Sequence, residues 1–199
     1  MRSPNRWLPA LFVCFMALLA GCATPPEIVR QPQADRVPVA SVEKVDAFQL
    51  SGRVGVKHEE QGFSGNLRWQ HTAQRDDILI LSPLGQGVAQ IERNGAGVVL
   101  TTADQQRYQA QDVETLTETV LGWRLPLAGM RYWVLGRAAP GKAEMQLDQS
   151  NRPRRLMQDG WQIDYLAYRE ADGLVLPQKM TMHRADLEMK LIIDEWAID

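Results

Sequence analysis

From residue 48 onward, apolar residues recur at every second position, the signature of strands that bury one face. Phe48, Leu50, Val54 and Val56 share a face across Gly52, and Phe63, Leu67 and Trp69 share one across Gly65. A glycine inside a strand marks a bulge or a sharp bend. Trp161, Ile163 and Tyr165 alternate with Gln162 and Asp164, while Met180 and Met182 lead on to Leu187, Met189, Leu191 and Ile193. Tight turns punctuate these runs at Asn94-Gly95, Asp159-Gly160 and Ala185-Asp186. The pattern predicts a mainly β fold of consecutive antiparallel hairpins, a meander that twist and glycine bends curl into a barrel or half-barrel.

The alternation breaks between Asp112 and Gly136. Asp112 is placed to cap a helix in which Val113, Leu116, Val120 and Leu121 form an apolar stripe, Glu114 sits in the first turn and Gly122 ends it. A second short helix is expected over Ala128 to Leu135. Helices inserted in an all-strand domain serve either as a lid over the concave side of the sheet or as a plug in its core, and the pattern admits both.

The N-terminal segment changes the setting of this domain. Leu19-Ala20-Gly21-Cys22 closes an apolar run from Leu8 to Ala20 that follows Arg2 and Arg6. A basic start, a short apolar core and a small-residue exit describe a signal peptide. A cysteine directly after that exit makes it a bacterial lipobox. The expectation is removal of residues 1–21, a diacylglycerol thioether on Cys22 and a further acyl chain on the new N-terminus. An uncleaved membrane anchor is the alternative, but the run falls short of the ~20 apolar residues a spanning helix needs. Ala23 stands where many Gram-negative inner-membrane lipoproteins carry aspartate, and so favours the outer membrane.

Cys14 leaves with the signal and Cys22 is acylated, so no disulfide is expected and the fold must rely on its core. Losing Arg2 and Arg6 deepens a formal charge that is already −2, which argues against a nucleic-acid partner. From Ala23 to Ala40 the chain carries Pro25, Pro26, Pro32 and Pro38 among small and polar residues, the composition of a flexible tether. Fully extended, it spans roughly 60 Å. Residues 41–199 then form one domain of ordinary size.

Catalytic and metal-binding patterns are scarce. His58, His71 and His183 read as surface residues, and His58-Glu59-Glu60 lacks the second histidine of a zinc-binding helix. Gly62-Phe63-Ser64-Gly65-Asn66 resembles a nucleophile elbow only superficially, with its closing glycine one place early. Gly85-Gln86-Gly87 starts like a dinucleotide fingerprint but has Gln90 where the third glycine belongs. Arg152, Arg154 and Arg155 surround Pro153 at an expected turn, as a solvated loop or a contact for lipid headgroups. Neither an enzyme nor a cofactor or metal site is indicated.

Ser82-Pro83-Leu84-Gly85-Gln86-Gly87 is a turn by composition, yet it holds a large aliphatic residue. Leu84 either folds back onto the sheet or stays exposed. In a membrane-tethered protein an exposed leucine can enter the lipid, a contact worth at most ~2 kcal/mol.

Several segments together resemble the LolB family of outer-membrane lipoproteins. They are the strand around Gly52-Arg53, Trp69-Gln70, the Ser82-Pro83-Leu84-Gly85 loop, Leu125-Pro126-Leu127 leading into Trp133-Val134-Leu135-Gly136, and the terminal strand ending at Trp196. One departure is a hairpin from Arg154 to Tyr168 that is shorter than in some relatives. The resemblance implies an unclosed antiparallel β-barrel with a helical lid around a hydrophobic cavity, of the LolA/LolB type. It implies a monomeric receptor, anchored in the outer membrane and facing the periplasm. Such a receptor accepts acylated lipoproteins from a LolA-type carrier and inserts them into the membrane's inner leaflet. The family's membrane-inserting loop leucine falls on Leu84, flanked by Pro83 and Gly85.

The cargo explains why such a device is needed. At ~0.8 kcal/mol per methylene, one acyl chain of about fifteen carbons costs on the order of 10 kcal/mol to expose to water. A receptor must bind such chains well and still release them, which suits adaptable thioethers and broad rings. Trp69, Trp133, Trp161, Met180 and Met182 are the expected lining of the cavity, with ordinary core packing as their alternative role. Two other functions are weighed: an accessory envelope lipoprotein that binds a protein partner through a filled core, and a lipid-modifying hydrolase, for which no nucleophile with its base is found.

Overall fold

A computed structural model describes residues 39–198, so the lipobox, Cys22 and most of the tether lie outside the described residues. A 3-10 helix, Val39–Lys44, precedes the first strand. Eleven strands follow: β1 (Phe48–His58), β2 (Gln61–His71), β3 (Asp76–Leu81), β4 (Gly87–Asn94), β5 (Gly97–Thr102), β6 (Arg107–Ala110), β7 (Ala143–Leu147), β8 (Pro153–Gln158), β9 (Trp161–Ala171), β10 (Leu174–Arg184) and β11 (Leu187–Ile198). Helices α1 (Val113–Leu121) and α2 (Leu127–Trp133) lie between β6 and β7.

All eleven strands belong to one antiparallel sheet in the order β6-β5-β4-β3-β2-β1-β11-β10-β9-β8-β7. The expected meander is present twice, joined by a pairing that local pattern cannot reveal: the first and last strands lie side by side, Phe48 opposite Ile198 and His58 opposite Leu187. The free edges are β6 and β7, and the helical connection runs from one to the other. The sheet is therefore an unclosed barrel with its helices inserted at the gap.

The alternation read from sequence is the burial pattern observed. β1 buries Phe48, Leu50, Val54 and Val56, and β11 buries Leu187, Met189, Leu191 and Ile193. Each such side chain contributes about 1.5–3 kcal/mol when fully removed from water. Gly52 marks a bulge, as expected: register shifts there, with Asp194 the extra residue on β11. A Cβ on Gly52 would sit 2.1 Å from the Ile192 carbonyl oxygen, and one on Gly65 2.1 Å from that of Leu81. Only glycine permits these close approaches.

α1 has the ends its sequence predicts. The Asp112 carboxylate accepts from the Thr115 backbone N–H at 2.8 Å, and Gly122 ends the helix in the left-handed region at φ 80°. The buried Thr117 hydroxyl donates to the Val113 carbonyl and accepts from the Leu125 N–H at 2.9 Å, turning the chain toward α2. Within α2, Gly129 leaves room for the Trp133 ring, which would lie 2.3 Å from a Cβ there. Beyond α2, Arg137 donates to the carbonyls of Val42, Glu43 and Val45, closing the C-terminal end of the 3-10 helix against the domain. Burial pulls that guanidinium below its ordinary value, against the opposing charge of Asp46.

Candidate functional site

Leu84 occupies the tip of a rigid turn. The Gly85 N–H donates to the Ser82 carbonyl at 2.9 Å, placing Pro83 and Leu84 at the two central positions. Ser82 closes the loop further: its N–H donates to the Gln86 carbonyl at 2.7 Å and its hydroxyl accepts from the Gln86 N–H at 3.2 Å. Asn66 on β2 donates to the Ser82 carbonyl at 3.4 Å. Proline pre-sets the turn, and Gly85 takes the left-handed conformation at φ 83°. Leu84 is left 89% exposed, so the possibility that it folds back onto the sheet is excluded.

The five residues expected to line the cavity are all buried in one core, in which hydrogen bonds tie Trp69 and Trp133 to different polar partners. Trp133 and Trp161 lie with ring centroids 6.1 Å apart, and Met180 and Met182 are inaccessible on neighbouring β10. The Trp133 indole N–H donates to the Gln158 side-chain oxygen at 2.9 Å, and the Tyr165 hydroxyl donates to the Trp133 carbonyl at 2.9 Å. Gln158 also exchanges two hydrogen bonds of 2.8 Å with the backbone of Ala139. This cluster fastens the segment around α2 to β8 and β9.

Trp69 has other partners in that core. Its ring lies 5.1 Å from that of Phe48, which packs in turn on Trp196. Its indole N–H donates to Asp76 at 2.9 Å. The fully buried Asp76 carboxylate also contacts His71 Nδ1 at 2.6 Å and accepts from Arg93. Burial alone would raise the Asp76 carboxyl, but hydrogen bonds from His71, Arg93 and Trp69 outweigh it and hold the group below the usual range.

Two expectations are corrected. His71, read as a surface residue from its polar neighbours, is buried, because the β2–β3 hairpin folds it back onto Asp76 and Phe48 stacks on it at 4.9 Å. Arg152 closes the expected turn, where it pairs with Asp148 at 2.8 Å, but Pro153 opens β8, so Arg154 and Arg155 lie in a strand and Arg155 pairs with Asp164 at 2.5 Å. Sequence reading also missed Asp76 and Gln158, whose interior roles depend on partners distant in the chain or across a turn, and it placed Tyr165 on the buried face without its bond to Trp133. His58, Glu59 and Asp186 bring their ligand atoms within 4.8 Å at the adjoining tips of two hairpins, on an exposed surface where His58 already pairs with Asp186 at 3.4 Å.

An open antiparallel sheet with two helices between its free edges, a methionine- and tryptophan-rich interior and an exposed loop leucine define a mainly β half-barrel. Residues 46–196 match the family model described as outer membrane lipoprotein LolB, and the chain belongs to that family. It is 43% identical over 191 residues to an outer-membrane lipoprotein LolB of Nitrosomonas europaea, covering 91% of this chain and 88% of the relative. It is 45% identical over 179 residues to the one of Thiobacillus denitrificans, covering 89% and 91%. Among solved structures, a DUF1329 family protein from Desulfovibrio piger shares the fold at a TM-score of 0.57 and 6% identity, over 82% of this chain and 90% of that one.

Proposed function

We propose that this protein is the outer-membrane receptor for lipoproteins, anchored through acylated Cys22, which takes cargo from a periplasmic LolA-type carrier. It holds the acyl chains against its interior and uses the Leu84 turn to enter the inner leaflet for delivery. The observation that carries this reading is Leu84, held almost fully exposed by a hydrogen-bonded turn in a chain of the LolB family. A leucine so placed contributes nothing to its own core and has apolar surface to offer a membrane.

The interior supplies the other half of the reading. Four of the six methionines among the described residues, Met130 on α2 and Met180, Met182 and Met189 on the sheet, are buried together with Trp133 and Trp161. Unbranched thioethers repack readily, so this region yields to an incoming chain more cheaply than a core of branched side chains. In the described state these side chains fill the space between sheet and helices. Cargo entry therefore requires the α2 segment to lift from β8 and β9. Direction comes from relative affinities along carrier, receptor and bilayer, with no catalytic step.

A transfer assay tests this. A purified carrier loaded with an acylated lipoprotein is mixed with the mature protein, and cargo is followed by co-isolation. Transfer without added nucleotide is expected. Retention on an active carrier, in the presence of folded receptor, would point instead to an accessory envelope lipoprotein.

A further inference from the structure

We propose that the groove on the outer face of β1, β2 and β11 receives the headgroup of a bilayer phospholipid, one whose phosphate is followed by a primary ammonium. This rests on the reading that Leu84 enters the membrane, because the groove begins at the Leu84 turn. It comprises two adjoining depressions of about 450 Å³ each that share Gly55, Ser64 and Lys190. The nearer one reaches Pro83 and is lined by Arg53, Asn66 and Ile192. The farther one runs toward the β1–β2 tip and adds Lys57, Glu60 and Glu188.

Register explains the hollow. Gly55 faces Ser64 on one side and Lys190 on the other, so a row of the sheet carries no side chain, then a small hydroxyl, beside a long cation. A Cβ on Gly55 would meet nothing within 4 Å. The charges are ordered along this hollow. Arg53 is neutralised by Asp194, with bonds of 2.9 and 3.1 Å, whereas Lys57 and Lys190 make no ion pair among the described residues. Lys190 is thus the unpaired cation on the side of the Leu84 turn, while Lys57 stands opposite Glu188 in the farther part.

The carboxylates lining the groove, Glu60 and Glu188, stand in its farther part. Glu188 precedes Lys190 on the same face of β11, about 6.7 Å away along the strand. A phosphate at Lys190 and the Ser64 hydroxyl, with an ammonium turned toward Glu188 and Glu60, matches that order. Ile192 and Pro83 give the glycerol end an apolar neighbour next to Leu84. The compact, strongly hydrated ammonium of lysine suits a phosphate held as a point charge at a wet surface.

The test uses the full acylated protein, reconstituted in phosphatidylethanolamine vesicles with a minor share of phosphatidylglycerol, or held in maltoside micelles, which carry no phosphate. Amine acylation at each lysine is read by mass spectrometry, with Lys142 and Lys179 as references. The reagent attacks the free base, so an ammonium paired with phosphate reacts slowly. In parallel, Leu84→Cys carrying an environment-sensitive fluorophore reports loop entry.

The expected result is a several-fold slowing at Lys190 in vesicles only, larger than any at Lys57, with a blue shift at position 84. Gly55→Val, which fills the hollow without a backbone clash, is expected to restore the micelle rate. A blue shift with Lys190 unprotected overturns the groove and leaves the loop reading standing. Protection without a blue shift overturns the loop reading and retains the groove. Equal protection in phosphatidylcholine overturns the part assigned to Glu60 and Glu188. Protection that requires the carrier protein rather than the bilayer overturns the lipid assignment altogether.

Discussion

The Trp69 and Trp133 clusters satisfy the same group, a buried indole N–H, by opposite chemistry. At Trp69 the acceptor is the charged Asp76, which also binds His71 and Arg93 and ties β2, β3 and β4 together. At Trp133 the acceptor is the neutral amide of Gln158, which joins β8 to the chain on either side of α2's end. The first arrangement locks strand to strand within the frame. The second fastens a helical segment to that frame through a few neutral hydrogen bonds, each worth about 0.5–1.5 kcal/mol. The half-barrel thus has one side clamped by charge and one fastened by neutral bonds, and on the proposed reading the second is where cargo would enter.

Asp76→Ala is expected to have the largest effect on folding, a loss of about 3–5 kcal/mol in urea unfolding, because Arg93 and His71 lose their buried counter-charge. A smaller loss than that of Gln158→Ala would break the contrast between the clusters. Gln158→Ala is expected to cost about 2–3 kcal/mol by stranding the Trp133 indole and the Ala139 backbone. Its distinguishing effect is on hydrogen exchange: amides of α2 should open faster while those of β2 to β4 keep their protection.

Acid sharpens the comparison with a smaller effect. A carboxyl whose folded value is depressed contributes its full stabilisation above the unfolded value, ~3.9, and loses it as pH falls through the folded value. The stability advantage of the native protein over Asp76→Asn should therefore narrow between neutral pH and about pH 3. The advantage over Gln158→Ala should not narrow in the same way, and a parallel loss in both would place the acid-sensitive group elsewhere. Leu84→Glu lies at the end of the scale. Its unfolding free energy should stay within about 0.5 kcal/mol of the native protein, with cargo capture intact and delivery to membranes reduced. Undiminished delivery would remove Leu84 from the mechanism.

What was legible in the sequence is what local physics determines. Alternation gave the buried faces of β1, β2, β9 and β11; Asp112 and Gly122 gave both ends of α1; and Pro83 with Gly85 marked the turn that presents Leu84. The pairing of β1 with β11 was hidden because nothing in either strand names a partner more than a hundred residues away. β7 was missed although Ala143, Met145 and Leu147 alternate with Glu144 and Gln146: the run is five residues long, and all five are exposed, so the alternation marks no buried face. His71 misled differently: its sequence neighbours are polar, while its burial comes from Phe48 and Asp76. Trp69, Trp133, Trp161, Met180 and Met182, expected to line a cavity, are buried in one core, and the polar partners that distinguish Trp69 from Trp133 follow from tertiary structure alone.

The clasp of Arg137 on Val42, Glu43 and Val45 fixes the point where the chain enters the β domain. That point adjoins Phe48, whose row across the sheet continues through His71 to Asp76, the start of β3. Leu84 lies past the other end of β3, one six-residue strand away, about 20 Å. Chain entry and exposed leucine therefore stand at opposite ends of one strand, and the hydrogen-bonded sheet holds that separation fixed whatever the preceding chain does.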